Sequence, residues 1–139
     1  MKIFICGSKH LYHLIPPIKE ELESLGHETT LPNSYEDPFV EERLKEKSKE
    51  EHAEFKTRMF KEQERKISEN DAVLIMNYEK HNQPNYIGGA TFLEIFKAFE
   101  LGKKIFLMNQ IPDNIFKDEL EGMSPIILNQ DLNKIENEI

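Results

Sequence analysis

Cys6 is the only cysteine in this chain of 139 residues, so no intrachain disulfide forms and no thiolate cluster can hold a metal. No apolar run approaches the length of a membrane span, which argues against a membrane partner. A strand-like segment begins within three residues of Met1. That leaves no room for a signal peptide, and a cytoplasmic protein is expected. A basic excess is missing too: 18 Lys and Arg stand against 26 Asp and Glu, a formal charge of −8. Proteins that grip duplex nucleic acid do so with a basic face, so no such partner is expected. A helix N-terminus and a few donors can still hold one small anion.

Neither G-x-G-x-x-G nor G-x-x-x-x-G-K-[ST] occurs, which excludes a standard dinucleotide site and a Walker phosphate loop. No cofactor is expected. His10-x-x-His13 has the look of a metal pair, but no third ligand lies at a suitable spacing, and no metal site is expected.

What remains is ample for a core. Hydrophobic residues make up 38% and charged residues 32% of a chain the length of one ordinary domain. Ile3-Phe4-Ile5-Cys6 is a continuous apolar run closed by Gly7-Ser8, the pattern of a strand buried on both faces. Residues 9–25 carry apolar side chains at helical spacing, with Pro16 and Pro17 near the true helix start and Gly26 as a stop. A second strand is expected over 27–31, a third over 72–76, a fourth over 104–108 and a fifth over 125–128. Helices are expected around 91–99, 111–120 and the tail.

From Glu41 to Glu69 nine Glu face nine Lys and Arg with no Gly or Pro, which predicts one long charged helix at about 38–69 in a single domain spanning 1–139. Phe55, Met59 and Ile67 dock its second half on the sheet. The first half has only Leu44 as an anchor and is expected to project into solvent or against a second subunit.

Alternating strands and helices imply a Rossmann-like or flavodoxin-like α/β three-layer sandwich with a mostly parallel five-stranded sheet in the order 2-1-3-4-5. Ligands bind such sheets beyond the carboxyl ends of the strands, at the switch point between the first and third. Gly7, Ser8, Asn77 and residues 88–94 should converge there. Lys9 and His10 follow directly as phosphate contacts. Tyr12, Tyr78 and Tyr86 either stack on a base or complete the core. Gly7 serves either a ligand's approach or a tight turn. Glu94 lies one turn into a helix opened by Gly88-Gly89, and two roles fit it equally: a nucleophile towards an anomeric carbon, or the acid of a Thr91-x-x-Glu94 capping box.

Taken together, Lys2 to Ser8, the segment from Ile67 to Met76 with Asn70-Asp71-Ala72-Val73-Leu74, Gly88-Gly89-Ala90-Thr91-Phe92-Leu93-Glu94 and Gly102-Lys103-Lys104-Ile105 resemble the nucleoside 2-deoxyribosyltransferase superfamily. Cys6-Gly7-Ser8 also looks like the start of its deoxynucleoside 5′-monophosphate N-hydrolase branch. The resemblance implies cleavage or exchange at the N-glycosidic bond of a deoxyribose, with Glu94 as nucleophile. It places Ser8 in the loop that gathers a 5′-phosphate, Gly88 and Gly89 beside the sugar, and the protein in a homodimer or larger homo-oligomer. Asn77 and Asn85 are then expected to help hold ribose, phosphate or base.

Two positions depart from the pattern. Gln63 stands eight residues before Asp71, where the family has an Asp that helps protonate the base, and Gly88 stands where an acidic residue or serine is usual. A non-catalytic nucleotide-binding or sensing domain is the alternative that these departures favour. A third possibility is an interaction module built on residues 38–60.

Overall fold

The computed structural model describes residues 1–139. Its centre is β1 (Lys2–Cys6), buried from Ile3 onward, and β3 (Ala72–Ile75), buried throughout. They pair in parallel, Ile3 opposite Ala72 and Cys6 opposite Ile75. β4 (Lys104–Leu107) continues the sheet beside β3, and two short edge strands, β2 (Glu28–Thr30) and β5 (Ile126–Ile127), complete the parallel order β2-β1-β3-β4-β5.

Because successive strand residues face opposite sides, each central strand feeds two cores. Ile3, Ile5, Leu74 and Phe106 meet Ile15, Ile18 and Leu22 of α1 (Ile15–Ser24) together with Leu132 and Ile135 of the C-terminal 3-10 segment. Phe4, Cys6, Val73, Ile75 and Leu107 meet the opposite layer: Ile67 of α3 (Lys49–Glu69), Ile95 and Ala98 of α4 (Gly89–Glu100), and Leu120 of α5 (Lys117–Gly122). No helix is long and apolar enough to cross a membrane.

The single helix expected over 38–69 is two helices. α2 (Val40–Lys47) ends at Ser48, which is extended (φ −165°, ψ 134°) and caps α3: its hydroxyl accepts from the Glu51 N–H at 3.2 Å. Nor does the first half project. Glu41, at the start of α2, reaches His52 at 3.2 Å and Lys56 at 3.1 Å on the first turns of α3, so α2 folds back along its successor. Phe55 and Ile67 are buried as the periodicity required, and Leu44 is half-buried.

The helix expected from Ile111 begins only at Lys117. The Asn114 side chain accepts from the Phe116 N–H at 2.8 Å, a local turn that competes with helix formation. Before β3, the first segment after Gly7 is a 3-10 stretch (Lys9–Leu14), and the α-helix proper starts with Pro16 and Pro17 in its first turn.

Ser48 satisfies a helix N-terminus that has no other side-chain cap, so Ser48→Ala should cost about 1 kcal/mol in urea unfolding. An unchanged midpoint would mean that α3 does not rely on this cap.

Candidate functional site

The switch point between β1 and β3 opens into a cleft of about 340 Å³. Its floor is built where β1 runs out. A Cβ on Gly7 would lie 3.1 Å from the Met76 Cε and 3.2 Å from its Cβ, so the chain turns here against the Met76 side chain. Ser8 then caps the 3-10 stretch, its hydroxyl accepting from the His10 N–H at 3.4 Å. Lys9, His10 and Tyr12 follow along the same wall. α3 supplies Phe55, Lys56, Met59 and Gln63, and the loop after β3 supplies Lys80 and Tyr86. Gly88, Gly89 and Glu94 close the cleft from the start of α4.

Glu94 decides what the cleft can do. The N-cap of α4 is Gly88, Thr91 lies inside the first turn, and no side chain caps the helix, so the capping-box role falls away. Glu94 turns inward instead and is buried, 7% exposed. Burial pushes its carboxyl up to about 7, against the opposing influence of the Cys6 thiol, Lys66 and Lys56. The Cys6 thiol, raised by burial first and then by Glu94, stays protonated and donates to the Phe4 carbonyl at 3.8 Å. Tyr12 is also raised, by burial first and then by Glu94, and its hydroxyl donates to the Asn33 carbonyl at 3.1 Å. Lys66 reaches the Leu31 carbonyl at 3.0 Å beneath the Phe4 ring, and burial lowers it.

Basic side chains collect on the cleft's rim. Lys80 lies 4.8 Å from the Tyr86 ring centroid and is lowered by burial and by Lys9. His10 stands edge-on to His81 with centroids 6.2 Å apart. Burial lowers it, followed by Lys80, Lys9 and His81. His13 is exposed, and no group of three metal-ligating side chains comes together anywhere in the chain.

Ten of the residues singled out from sequence therefore line one cleft: Gly7, Ser8, Lys9, His10 and Tyr12 on one wall, with Gln63, Tyr86, Gly88, Gly89 and Glu94 facing them. Two do not. Asn77 is fully buried and ties β3 to the segment after β4: its amide donates to the Asn109 and Gln110 carbonyls at 3.0 and 2.9 Å, and its oxygen accepts from the Asn109 N–H at 2.9 Å. With those groups engaged it is a clasp rather than a ligand contact. Asn85 lies outside the cleft in a left-handed conformation (φ 57°), a turn role that Asn tolerates well. Tyr78 packs on the α1 side of the sheet rather than facing the cleft.

Sequence reasoning did not single out Asn33, Glu41, Lys56 or Lys80. The Asn33 amide donates to the Met59 carbonyl at 3.2 Å, while its side-chain oxygen is buried without a hydrogen-bond partner. Its only signal was a turn-forming Pro32-Asn33-Ser34.

No family model matches the chain, and no curated protein does. Among solved structures the fold is similar to a 2-deoxyribosyltransferase from the psychrotolerant bacterium Bacillus psychrosaccharolyticus, described as a biocatalyst for nucleoside synthesis. The likeness has a TM-score of 0.62 at 21% identity and covers 99% of this chain and 91% of that one.

A carboxyl that ionises near 4.5 in an open environment and about 7 in the fold holds its proton more tightly when folded, so stability falls as pH rises through that window. The fall is at most about 3 kcal/mol. Glu94→Gln should therefore be more stable relative to the parent at about pH 8 than at about pH 4.5 in urea unfolding. Equal differences at both pH values would show that Glu94 titrates normally.

Proposed function

We propose that the cleft binds a nucleoside or nucleoside 5′-monophosphate and breaks or exchanges its N-glycosidic bond, with Glu94 as nucleophile. The observation that carries this is the buried Glu94 carboxyl beside the sheet's switch point, in a fold similar to that of a 2-deoxyribosyltransferase.

In the proposed reaction the Glu94 carboxylate bonds to the anomeric carbon as the carbon–nitrogen bond breaks, and the electron pair leaves with the base, which takes up a proton. Water then attacks the glycosyl ester to release the sugar, or a second base attacks it to give exchange. Tyr12 and Tyr86 offer ring faces for the base. The unpartnered oxygen of Asn33 offers an acceptor for a ligand N–H or O–H. Lys9 and Lys80, with Ser8 and His10 as hydrogen-bonding groups between them, form the end suited to a 5′-phosphate.

Proton delivery is the weak point of this machinery. The Gln63 amide reaches the cleft but carries no exchangeable acid, and general acid assistance is typically worth 10²–10⁴-fold. A slow enzyme is the expected consequence. The same feature favours a second reading, a nucleotide-binding domain without turnover. Gly88 offers no polar side chain to a sugar either, and the Tyr86 hydroxyl lies 2.9 Å from where its Cβ would be.

α4 leaves Leu93, Phe96 and Phe99 exposed, and the adjoining α3 leaves Phe60 exposed. A second copy of the chain fits this apolar surface. Light scattering should give a mass above that of one chain, reduced to one by Phe96→Glu; a monomeric parent overturns the homo-oligomer.

The deciding experiment is chromatography of base released from ribo- and deoxyribonucleosides and their 5′-monophosphates. The parent should release base and Glu94→Ala should not. The parent's kcat/KM should rise with pH to a plateau above about 7, as Glu94 ionises. Saturable ligand binding without base release would establish the binding-domain reading instead. Equal release by parent and Glu94→Ala would remove Glu94 from the chemistry.

A further inference from the structure

Lys9 occupies the part of the cleft that the function proposed above assigns to a phosphate, yet its ammonium group is already taken. It forms an ion pair with Glu42 and lies 3.9 Å from Glu41, both on α2. Glu41 itself lines the cleft and also pairs with Lys56 at 3.1 Å, another lining cation, and with His52 at 3.2 Å. Two cleft lysines are thus neutralised by carboxylates from one helix. Lys80, across the cleft, has no acidic partner.

The helix that supplies these carboxylates is lightly held. No residue of α2 is buried, and it is joined to α3 at the extended Ser48. Its ion pairs are partly exposed, with Lys9 and Glu42 side chains 22% and 47% accessible. Pairs of this kind contribute little individually and yield readily to a better anion. A phosphate dianion presents up to two charges and three acceptor oxygens, whereas a neutral nucleoside presents none of that charge.

We propose that Glu41 and Glu42 are specificity-determining residues that compete with a ligand's phosphate for Lys9 and Lys56, so that a phosphorylated ligand unlatches α2 and an unphosphorylated one leaves it in place. The inference rests on the cleft being a nucleoside or nucleotide site. The carboxylates act as a threshold: they weaken every anionic ligand, and only one with enough charge to displace them is retained. Removing a carboxylate lowers that threshold for phosphates and leaves neutral nucleosides unaffected.

Calorimetry in a phosphate-free buffer, on the full chain, tests this with three probes: inorganic phosphate, a nucleoside, and its 5′-monophosphate. Glu42→Gln, outside the cleft lining, should tighten binding of phosphate and monophosphate about threefold with nucleoside binding unchanged, and Glu41→Gln combined with Glu42→Gln should tighten phosphate about tenfold. Saturating phosphate should also speed amide hydrogen exchange across residues 40–47 of the parent. Unchanged or weakened phosphate and monophosphate binding in both variants overturns the competition, as does exchange in α2 that phosphate slows or leaves alone. If nucleoside binds while neither phosphate nor monophosphate does, the latch falls and the nucleoside site stands. If phosphate tightens and frees α2 as described while no nucleoside or monophosphate binds, the latch stands and the nucleoside site falls.

Discussion

β1 and β3 have no solvent-facing side. Every side chain from Ile3 to Cys6 and from Ala72 to Ile75 is buried, so the only place where the middle of the sheet meets water is at the strand ends. This constraint puts the cleft where it is. It also makes Glu94 unusual, because the helix that carries it lies against the same apolar layer, with Cys6, Ile75 and Ile95 among the buried residues there. One burial therefore has two effects: it stabilises the sheet, and it raises the proton affinity of the one carboxyl lodged at its edge.

The long-range electrostatics run against the local ones. The chain is strongly acidic as a whole, yet the cleft collects Lys9, His10, Lys56 and Lys80, with Lys66 behind the wall. Net charge alone argued only against an extended basic surface, and it was silent about a concentrated one. The balance within the 41–69 segment concealed this too. Its equal numbers of acids and bases suggested a solvated helix, whereas folding back at Ser48 turns Glu41 and Lys56 to the same cleft.

Legibility followed the kind of signal. Strands buried on both faces read clearly, since unbroken apolar runs ending at Gly7 or Asn77 leave little alternative, and with them came the strand order. Helix limits were harder. Ser48-x-x-Glu51 has the form of a capping box, a stop that a reading based on charge balance and the lack of Gly or Pro passes over, and the Asn114 turn that delays α5 had no counterpart in the periodicity. Within the cleft, residues adjoining β1 and opening α4 were found by their place after a strand or at a helix start. Asn77 has such a place but its amide turns sideways to the next strand's loop, a choice made by unpaired carbonyls at Asn109 and Gln110. Glu41 and Lys56 reach the cleft only through tertiary packing, and no local pattern marks them.

Gly88 and Tyr86 carry a consequence for how this sequence can change. The space a side chain at position 88 would need is filled by the tyrosine hydroxyl, and the tyrosine ring is in turn covered by Lys80. A serine or carboxylate introduced at 88 would meet the tyrosine hydroxyl at once, and the tip of that side chain would have to shift to admit it. Positions 86 and 88 therefore share one small volume, and a side chain gained at one is accommodated by movement or loss of the other.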